Sequence, residues 1–158
     1  NAYVAVNVSA TSLARPEYSE EVLAALRQAD FPAARLHLEV TETTLLSINR
    51  SVLANMRVLA DAGIDWYVDD FGTGYSSISH LRDLPIAGLK LDRSFTAELP
   101  SPTSSSAQLA SALAGLARGL NLDTVAEGVE TAEQAAALSA QGWQNGQGWL
   151  FGRPAPLV

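Results

Sequence analysis

The sequence predicts an α/β fold built on a parallel sheet. Two observations predict it. Short β-rich runs alternate with helical segments along the whole chain, which is the rhythm of strand–helix units. Residues able to bind metal or move protons also recur where the predicted strands end, and α/β folds gather their active sites there.

Six runs read as strands: Tyr3–Val8, Leu36–Thr41, Asp65–Asp69, Gly88–Leu91, Asp123–Ala126 and Gly148–Phe151. Five helices are expected between and beyond them. The first follows Ser19, a capping residue with Glu20 and Glu21 in the first turn. The second spans about Ser47 to Ala62, with Ile48, Val52, Met56, Leu59 and Ala60 on one face and Gly63 placed to end it. A third covers Ser76–Leu84 and stops before Pro85. The fourth carries Leu109, Leu113, Leu116 and Leu120. The fifth opens with Thr131 and Gln134 at capping-box spacing and closes at Gly142. Pro100–Ser106, PSPTSSS, has the composition of a flexible surface loop.

Such units build either an open doubly wound sheet or part of a barrel. A (β/α)₈ barrel needs about 250 residues, and 158 residues fall about two strands short of that. A Rossmann unit is disfavoured because no G-x-G-x-x-G follows the first strand.

Composition narrows the function classes. The chain is 47% hydrophobic and 17% charged, ordinary for a globular domain with one sizeable core. No apolar run approaches the roughly 20 residues of a membrane span, and no secretory leader opens the chain. The opening NAYVAVNVSA already reads as a strand, so the expected N-terminus lies upstream. No cysteine is present, which excludes disulfides and thiolate metal sites and fits a reducing, cytoplasmic compartment. A net charge of −7 makes a poor generic binder of DNA or RNA. A phosphate substrate would need a cation between it and the carboxylates, and a divalent metal is the obvious one.

The strand ends supply the donors. Asn7 and Ser9 close the first, and Glu39 and Glu42 mark the second. Asp69–Asp70 end the third, while Lys90 and Asp92 sit on the fourth. Glu127 and Glu130 follow the fifth, and Gln147 precedes the sixth. Any one of these alone reads as a turn residue or helix cap. Five consecutive strand ends with hard oxygen donors or a cation read as a site. Carboxylates with an amide oxygen favour Mg²⁺ or Mn²⁺ over zinc or copper. Asp69–Asp70 is the most telling pair, since adjacent aspartates repel unless a cation lies between them. The FGTGYSS that follows has the glycines of a closing loop. Phosphodiester hydrolysis suits such a set: Lys90 positions water or neutralises charge, and Glu127 accepts a proton. His37 and His80 lack partners at ligand spacing and read as core or surface residues. Trp66, Trp143 and Trp149 read as core or rim packing, Trp149 also as a surface on which a base could stack.

These residues fall into long motifs. VNVS (Val6–Ser9), LEVTET (Leu38–Thr43), DDFGTGYSS (Asp69–Ser77), LPIAGLKLDRSF (Leu84–Phe95), AEGVET (Ala126–Thr131) and QGWLFGRP (Gln147–Pro154) occur in order. Together they resemble the EAL domain of cyclic di-GMP phosphodiesterases over essentially the whole chain. The resemblance implies a TIM-like (β/α) barrel of the EAL type with one antiparallel strand, here a partial barrel of about six strands. It also implies a bacterial Mg²⁺- or Mn²⁺-dependent hydrolase that converts cyclic di-GMP to linear pGpG. Asn7, Glu39 and Asp69 then resemble ligands of a first metal, and Asp69 would bridge to a second, with Asp70 alongside. Lys90 resembles the lysine on the catalytic water, and Glu127 the family's general base or water-orienting glutamate. Glu42 resembles the glutamate that anchors the DDFGTG loop, and Gln147 a glutamine at the site rim.

Two departures qualify the resemblance. The E-A-L tripeptide, whose glutamate is a metal ligand, and an arginine that contacts a substrate phosphate would both lie upstream. Gln144 stands where the family commonly has aspartate. Residues 1–158 are therefore expected to be the C-terminal greater part of one EAL domain, with the first barrel strands outside it and little activity in isolation. Its open edge could pair with a second copy. The parent protein is expected to be cytoplasmic or tethered to a membrane through other domains, with no membrane contact by this segment. The alternative reading is an inactive EAL domain serving as a cyclic di-GMP receptor or protein-interaction scaffold.

Overall fold

The computed structural model describes residues 3–73, 78–99, 101 and 104–155. Gly74–Ser77 of the glycine-bearing loop, with the start of the third expected helix, lie outside them, as do Pro100, Pro102 and Thr103 of the PSPTSSS segment. The chain forms two compact units. One holds residues 1–69 with 74–88, the other residues 70–73 with 89–158.

The first unit runs β1 (Val4–Asn7), α1 (Ala10–Leu13), α2 (Tyr18–Gln28), β2 (Leu36–Thr41), α3 (Glu42–Leu45), α4 (Arg50–Asp61), most of β3 (Asp65–Phe71) and α5 (Ile78–Asp83). Its strands follow the order β1-β2-β3, and both pairings are parallel. The register places Asn7 beside Glu39, Glu39 beside Tyr67, and Thr41 beside Asp69. Val40, Val68 and Trp66 lie buried on the alternate positions, with Leu13, Met56 and Leu59 from the helices. Trp66 Nε1 donates to the Met56 carbonyl at 3.1 Å, which satisfies the one polar atom of a fully buried ring.

The second unit runs β4 (Gly88–Leu91), from Leu89 onward, then α6 (Arg93–Ala97), α7 (Ser105–Gly119), β5 (Asp123–Ala126), α8 (Ala132–Gln141) and β6 (Asn145–Gly146). β5 and β6 pair in parallel, and the Glu127 amide donates to the Leu91 carbonyl at 3.1 Å just past β5. The core gathers Leu91, Leu99, Ala126, Val129, Leu138 and Trp143 against α7.

Helix starts follow side-chain chemistry. Ser9, Thr41 and Asp92, each following a strand or ending it, accept from the amides of Ser12, Thr44 and Ser94. Each takes up a free N–H of a new helix, so extended chain gives way to helix within one residue. This explains α1, α3 and α6, which the apolar pattern does not show because each is only four or five residues long. The expected capping box at Thr131 and Gln134 and the left-handed Gly142 at the end of α8 are both present.

Several expected boundaries differ. α2 starts at Tyr18, so Ser19 lies buried in its first turn instead of capping it. α4 starts at Arg50 because Asn49 accepts from the Val52 amide at 3.0 Å; Ser47 instead donates to the Thr44 carbonyl and closes α3. On α7 the buried stripe is Ala107, Ala110, Ala114 and Ala117, and Leu109 is exposed. Small side chains let this helix approach α6 and β5 closely, while Leu113 packs at the side of that core and Leu116 and Leu120 are half-buried. The sixth strand is Asn145–Gly146, not Gly148–Phe151. A Cβ at Gly148 would collide with the Val129 backbone, and the chain turns there, with Leu150 N donating to Val129 O at 3.0 Å.

Candidate active site

In the first unit, β1, β2 and β3 carry a row of oxygen donors at their C-terminal ends. Laterally paired residues of a parallel sheet share a face, and positions two apart on one strand share a face. Asn7, Glu39, Tyr67 and Asp69 therefore lie on one side of the sheet. Glu39 is 8% exposed, a deep position for a carboxylate. Glu42 is 5% exposed and, contrary to its expected place on the second strand, is the first residue of α3. A carboxylate there suits the helix dipole. Below this row, the Tyr3, His37 and Tyr67 rings stack with centroids 4.2 and 4.9 Å apart, and His37 Nε2 lies 3.7 Å from Asp65. His37 is thus a packing residue with a carboxylate neighbour.

In the second unit, β4 and β5 bring Lys90 and Glu127 together. Lys90 Nζ lies 2.6 Å from Glu127 Oε1. Lys90 is 5% exposed within an entirely buried strand. A lysine there is tolerable only with a partner, and Glu127 supplies it. A carboxylate oxygen of Asp70 lies within 4.8 Å of one from Glu127. Asp70 follows Asp69 directly and has φ +53°, in the left-handed region that aspartate tolerates better than most residues. That one reversed residue breaks the strand alternation which would send the two aspartates to opposite faces. Thr73 Oγ1 donates to the Asp70 carbonyl at 2.9 Å and supports the turn.

Asp92, which the sequence places at a strand end without a role, belongs to the same group. Partial burial pushes its carboxyl up, but the Ser94 hydroxyl and amide, a hydrogen bond shared with Asp70 and the Arg93 amide outweigh that and hold it below the ordinary range. The sequence signal is masked because D-x-S also reads as a helix cap, and Asp92 does cap α6. Glu130 is exposed at the edge of a cavity of about 550 Å³ that Asp92, Arg93, Ser94, Gly128 and Gln134 also line.

Gln147 follows β6 instead of preceding a strand. Its amide donates to Ala126 O at 2.8 Å and its carbonyl accepts from Val129 N at 3.0 Å, which ties it to both sides of Glu127. Trp149 is 57% exposed beside it, with the Arg153 guanidinium 4.5 Å from its ring centroid; Trp66 and Trp143 are core residues. Gln144 lies at the opposite end of β5 from Glu127. It exchanges hydrogen bonds with Thr124 and pins β6 to β5, so this departure from the family pattern is structural.

The donors fit a hard divalent cation. They are carboxylate and amide oxygens, with a lysine to balance charge and no cysteine in the chain. Buried lysine, carboxylate and acidic turn together resemble the arrangement that hydrolyses phosphoesters with metal assistance.

The comparisons with known proteins agree with this geometry. The family model described as the EAL domain matches residues 1–154. The cyclic di-GMP phosphodiesterase NbdA of Pseudomonas aeruginosa is 43% identical over 98% of this chain, which spans 20% of that relative. The phosphodiesterase PdeR of Escherichia coli is 37% identical over 100% of the chain and 24% of its own length. The chain thus spans about a quarter or less of these curated relatives. Among solved structures, the MucR phosphodiesterase of P. aeruginosa in complex with cyclic di-GMP superposes with a TM-score of 0.91 at 42% identity, over 98% of this chain and 68% of that one. BlrP1 of Klebsiella pneumoniae, solved with cyclic di-GMP and either calcium or manganese, reaches 0.87 at 28% identity, over 96% of this chain and 39% of that one. An α/β fold with paired parallel strands, the ordered motifs and these matches lead to one assignment: the chain belongs to the EAL domain family.

Proposed function

We propose that this chain carries the catalytic centre of a phosphodiesterase that opens cyclic di-GMP to linear pGpG. The observation that carries the proposal is the Lys90–Glu127 pair at 2.6 Å beside Asp70. A pure receptor needs charge complementarity to its ligand, not a buried proton-transfer pair. The names of NbdA and PdeR and the cyclic di-GMP complex of MucR support the substrate.

Asn7, Glu39 and Asp69 are proposed as ligands of a divalent cation, and Asp70 as a further cation ligand. Mg²⁺ or Mn²⁺ bound there would neutralise phosphate charge and acidify water. Glu127 accepts a proton from the attacking water. Lys90 keeps that carboxylate ionised and oriented, and faces the charge that develops on phosphorus. One P–O bond to water forms, one P–O bond to a 3′ oxygen breaks, and that oxygen departs with a proton. Glu42 anchors the glycine-bearing loop, and Gln147 lies at the rim. The coverage of 68% of the MucR chain supports the reading of residues 1–158 as the greater part of one EAL domain. The parent protein would work in the bacterial cytoplasm or tethered to a membrane by other domains. Among the described residues no helix is long and apolar enough to cross a membrane.

The test is cyclic di-GMP hydrolysis with Mn²⁺ by the parent protein and its Glu127→Gln variant, with chromatography for pGpG. Product that falls by about 10²–10⁴-fold in the variant, the usual worth of a general base, upholds the reading. Retained cyclic di-GMP binding without turnover in the wild type would replace it with the receptor reading.

A further inference from the structure

The base of the site is held by two loops that are separate in sequence. One is the junction Leu91–Arg93, where the strand of Lys90 passes into α6. The other is Glu127–Thr131, after β5. One backbone hydrogen bond joins them directly, from Glu127 N to Leu91 O at 3.1 Å. They also touch at Gly128, where φ is +66° and a Cβ would lie 2.7 Å from the Arg93 Cβ. Each segment runs directly into a helix, α6 after the first and α8 after the second.

Gln134 joins α8 to α6. Its side chain is 8% exposed. Oε1 accepts from the amides of Glu130 at 2.8 Å and Thr131 at 3.0 Å. Nε2 donates to the Thr96 carbonyl on α6 at 3.1 Å. A capping-box residue normally serves its own helix alone. Here the same amide reaches across to the helix that follows Lys90 and Asp92, while its other end grips the loop that follows Glu127. Glutamate at this position could still fill the box but would lose the N–H donor to Thr96.

From this geometry we infer that Gln134 is a positioning residue, which fixes Glu127 against Lys90 by bridging α6 to the 127–131 loop. The inference rests on the hydrolase reading for its catalytic consequence, but not for its structural one. Gln134→Glu separates the two roles, because it keeps the cap and breaks the bridge. Gln134→Ala removes both.

The experiment measures amide hydrogen exchange, thermal unfolding and, with Mn²⁺, the kinetics of cyclic di-GMP hydrolysis for the wild type and both variants. In Gln134→Glu, Glu127 amide protection is expected to fall about tenfold and kcat about tenfold, with KM, α8 exchange and Tm near wild type. Gln134→Ala should lower Tm as well. Wild-type protection at Glu127 in Gln134→Glu overturns the inference, as does a loss of kcat matched by an equal loss of Tm and α8 protection. A wild-type parent protein that turns over no cyclic di-GMP defeats the hydrolase reading instead, and Glu127 exchange in Gln134→Glu still decides whether the bridge positions that residue.

Discussion

Lys90 and Glu127 are worth more together than apart. With Lys90 only 5% exposed, each charge is stable at its position because the other is 2.6 Å away. Replacing Lys90 with methionine keeps the stem volume but leaves Glu127 beside Asp70 with no cation. The expected cost is about 2 kcal/mol, below the ~3–5 typical of a fully buried pair because Glu127 keeps some water. Turnover should also be lost. The double variant Lys90→Met with Glu127→Gln should regain most of the stability and none of the activity, which denaturant unfolding and a product assay check together. Asp70 poses the opposite case. Its carboxylate lies close to Glu127 and shares a hydrogen bond with Asp92, an acidic crowding that favours cation binding and disfavours the cation-free state. Asparagine tolerates the φ of +53° equally well. Asp70→Asn is therefore expected to raise Tm in chelator and to abolish most of the further rise that millimolar Mn²⁺ gives the wild type. A wild-type response to Mn²⁺ in the variant would remove Asp70 from the metal site. The gathering of Lys90, Glu127 and Asp70 was legible in the sequence, because hard oxygen donors and a lysine recur at its strand ends. Asp92 was not, since its neighbours also spell a helix cap, and neither was the reach of Gln134 to Thr96, which is a tertiary contact.

At the scale of elements, polar caps decide where β1, β2 and β4 give way to helix, and they decide it more sharply than apolar periodicity does. The long helices α2, α4 and α8 were legible from spacing, and α8 from its caps as well. The short α1, α3 and α6 were hidden because one turn of helix shows no period. α7 was legible as a helix but not in its most buried stripe, which is four alanines where the neighbouring backbone is close, with Leu113 packed beside them and Leu109 exposed. The sixth strand was misplaced because W-L-F looks β-rich, whereas backbone contact at Gly148 makes it a turn. A pH prediction belongs to this scale. The exposed Glu133 sits in the first turn of α8, where its own backbone amide, and then the Thr131 hydroxyl, hold its carboxyl below the ordinary glutamate range. A carboxyl with a depressed folded-state pKa stabilises the fold above its unfolded pKa. That contribution fades as pH falls through the folded value. The Tm advantage of the wild type over Glu133→Gln should thus be constant from pH 7 to about 5.5 and shrink steadily below about 4.5. An advantage unchanged at pH 3 would mean that the charge contributes nothing to the cap.

At the scale of the whole molecule, the first unit carries an exposed strand. Among the described residues β1 pairs only with β2, and all four of its residues are exposed. Val4 and Val6 are 46% and 43% exposed, and they border an apolar cavity of about 340 Å³ with Tyr18, Val22, Leu26 and Phe31. A strand with free N–H and C=O groups, valines on one face and an apolar hollow beneath is a template for another strand. The first charged side chain after it is Arg15, and α1 intervenes, so nothing on β1 itself opposes such pairing. As the 158-residue chain, the protein is therefore expected to self-associate through β1, with antiparallel pairing of two copies as the simplest closed arrangement. Sedimentation velocity across a hundredfold dilution checks this. The weight-average coefficient should fall on dilution, and Val4→Lys with Val6→Lys should hold it at the monomer value, since edge lysines block strand addition at little cost to an exposed position. Urea unfolding of that double variant should match the wild type at low concentration, which separates lost association from lost folding. A wild-type chain that stays monomeric throughout would show that β1 is tolerated as a bare edge, and that the apolar hollow beneath it does not drive pairing between copies.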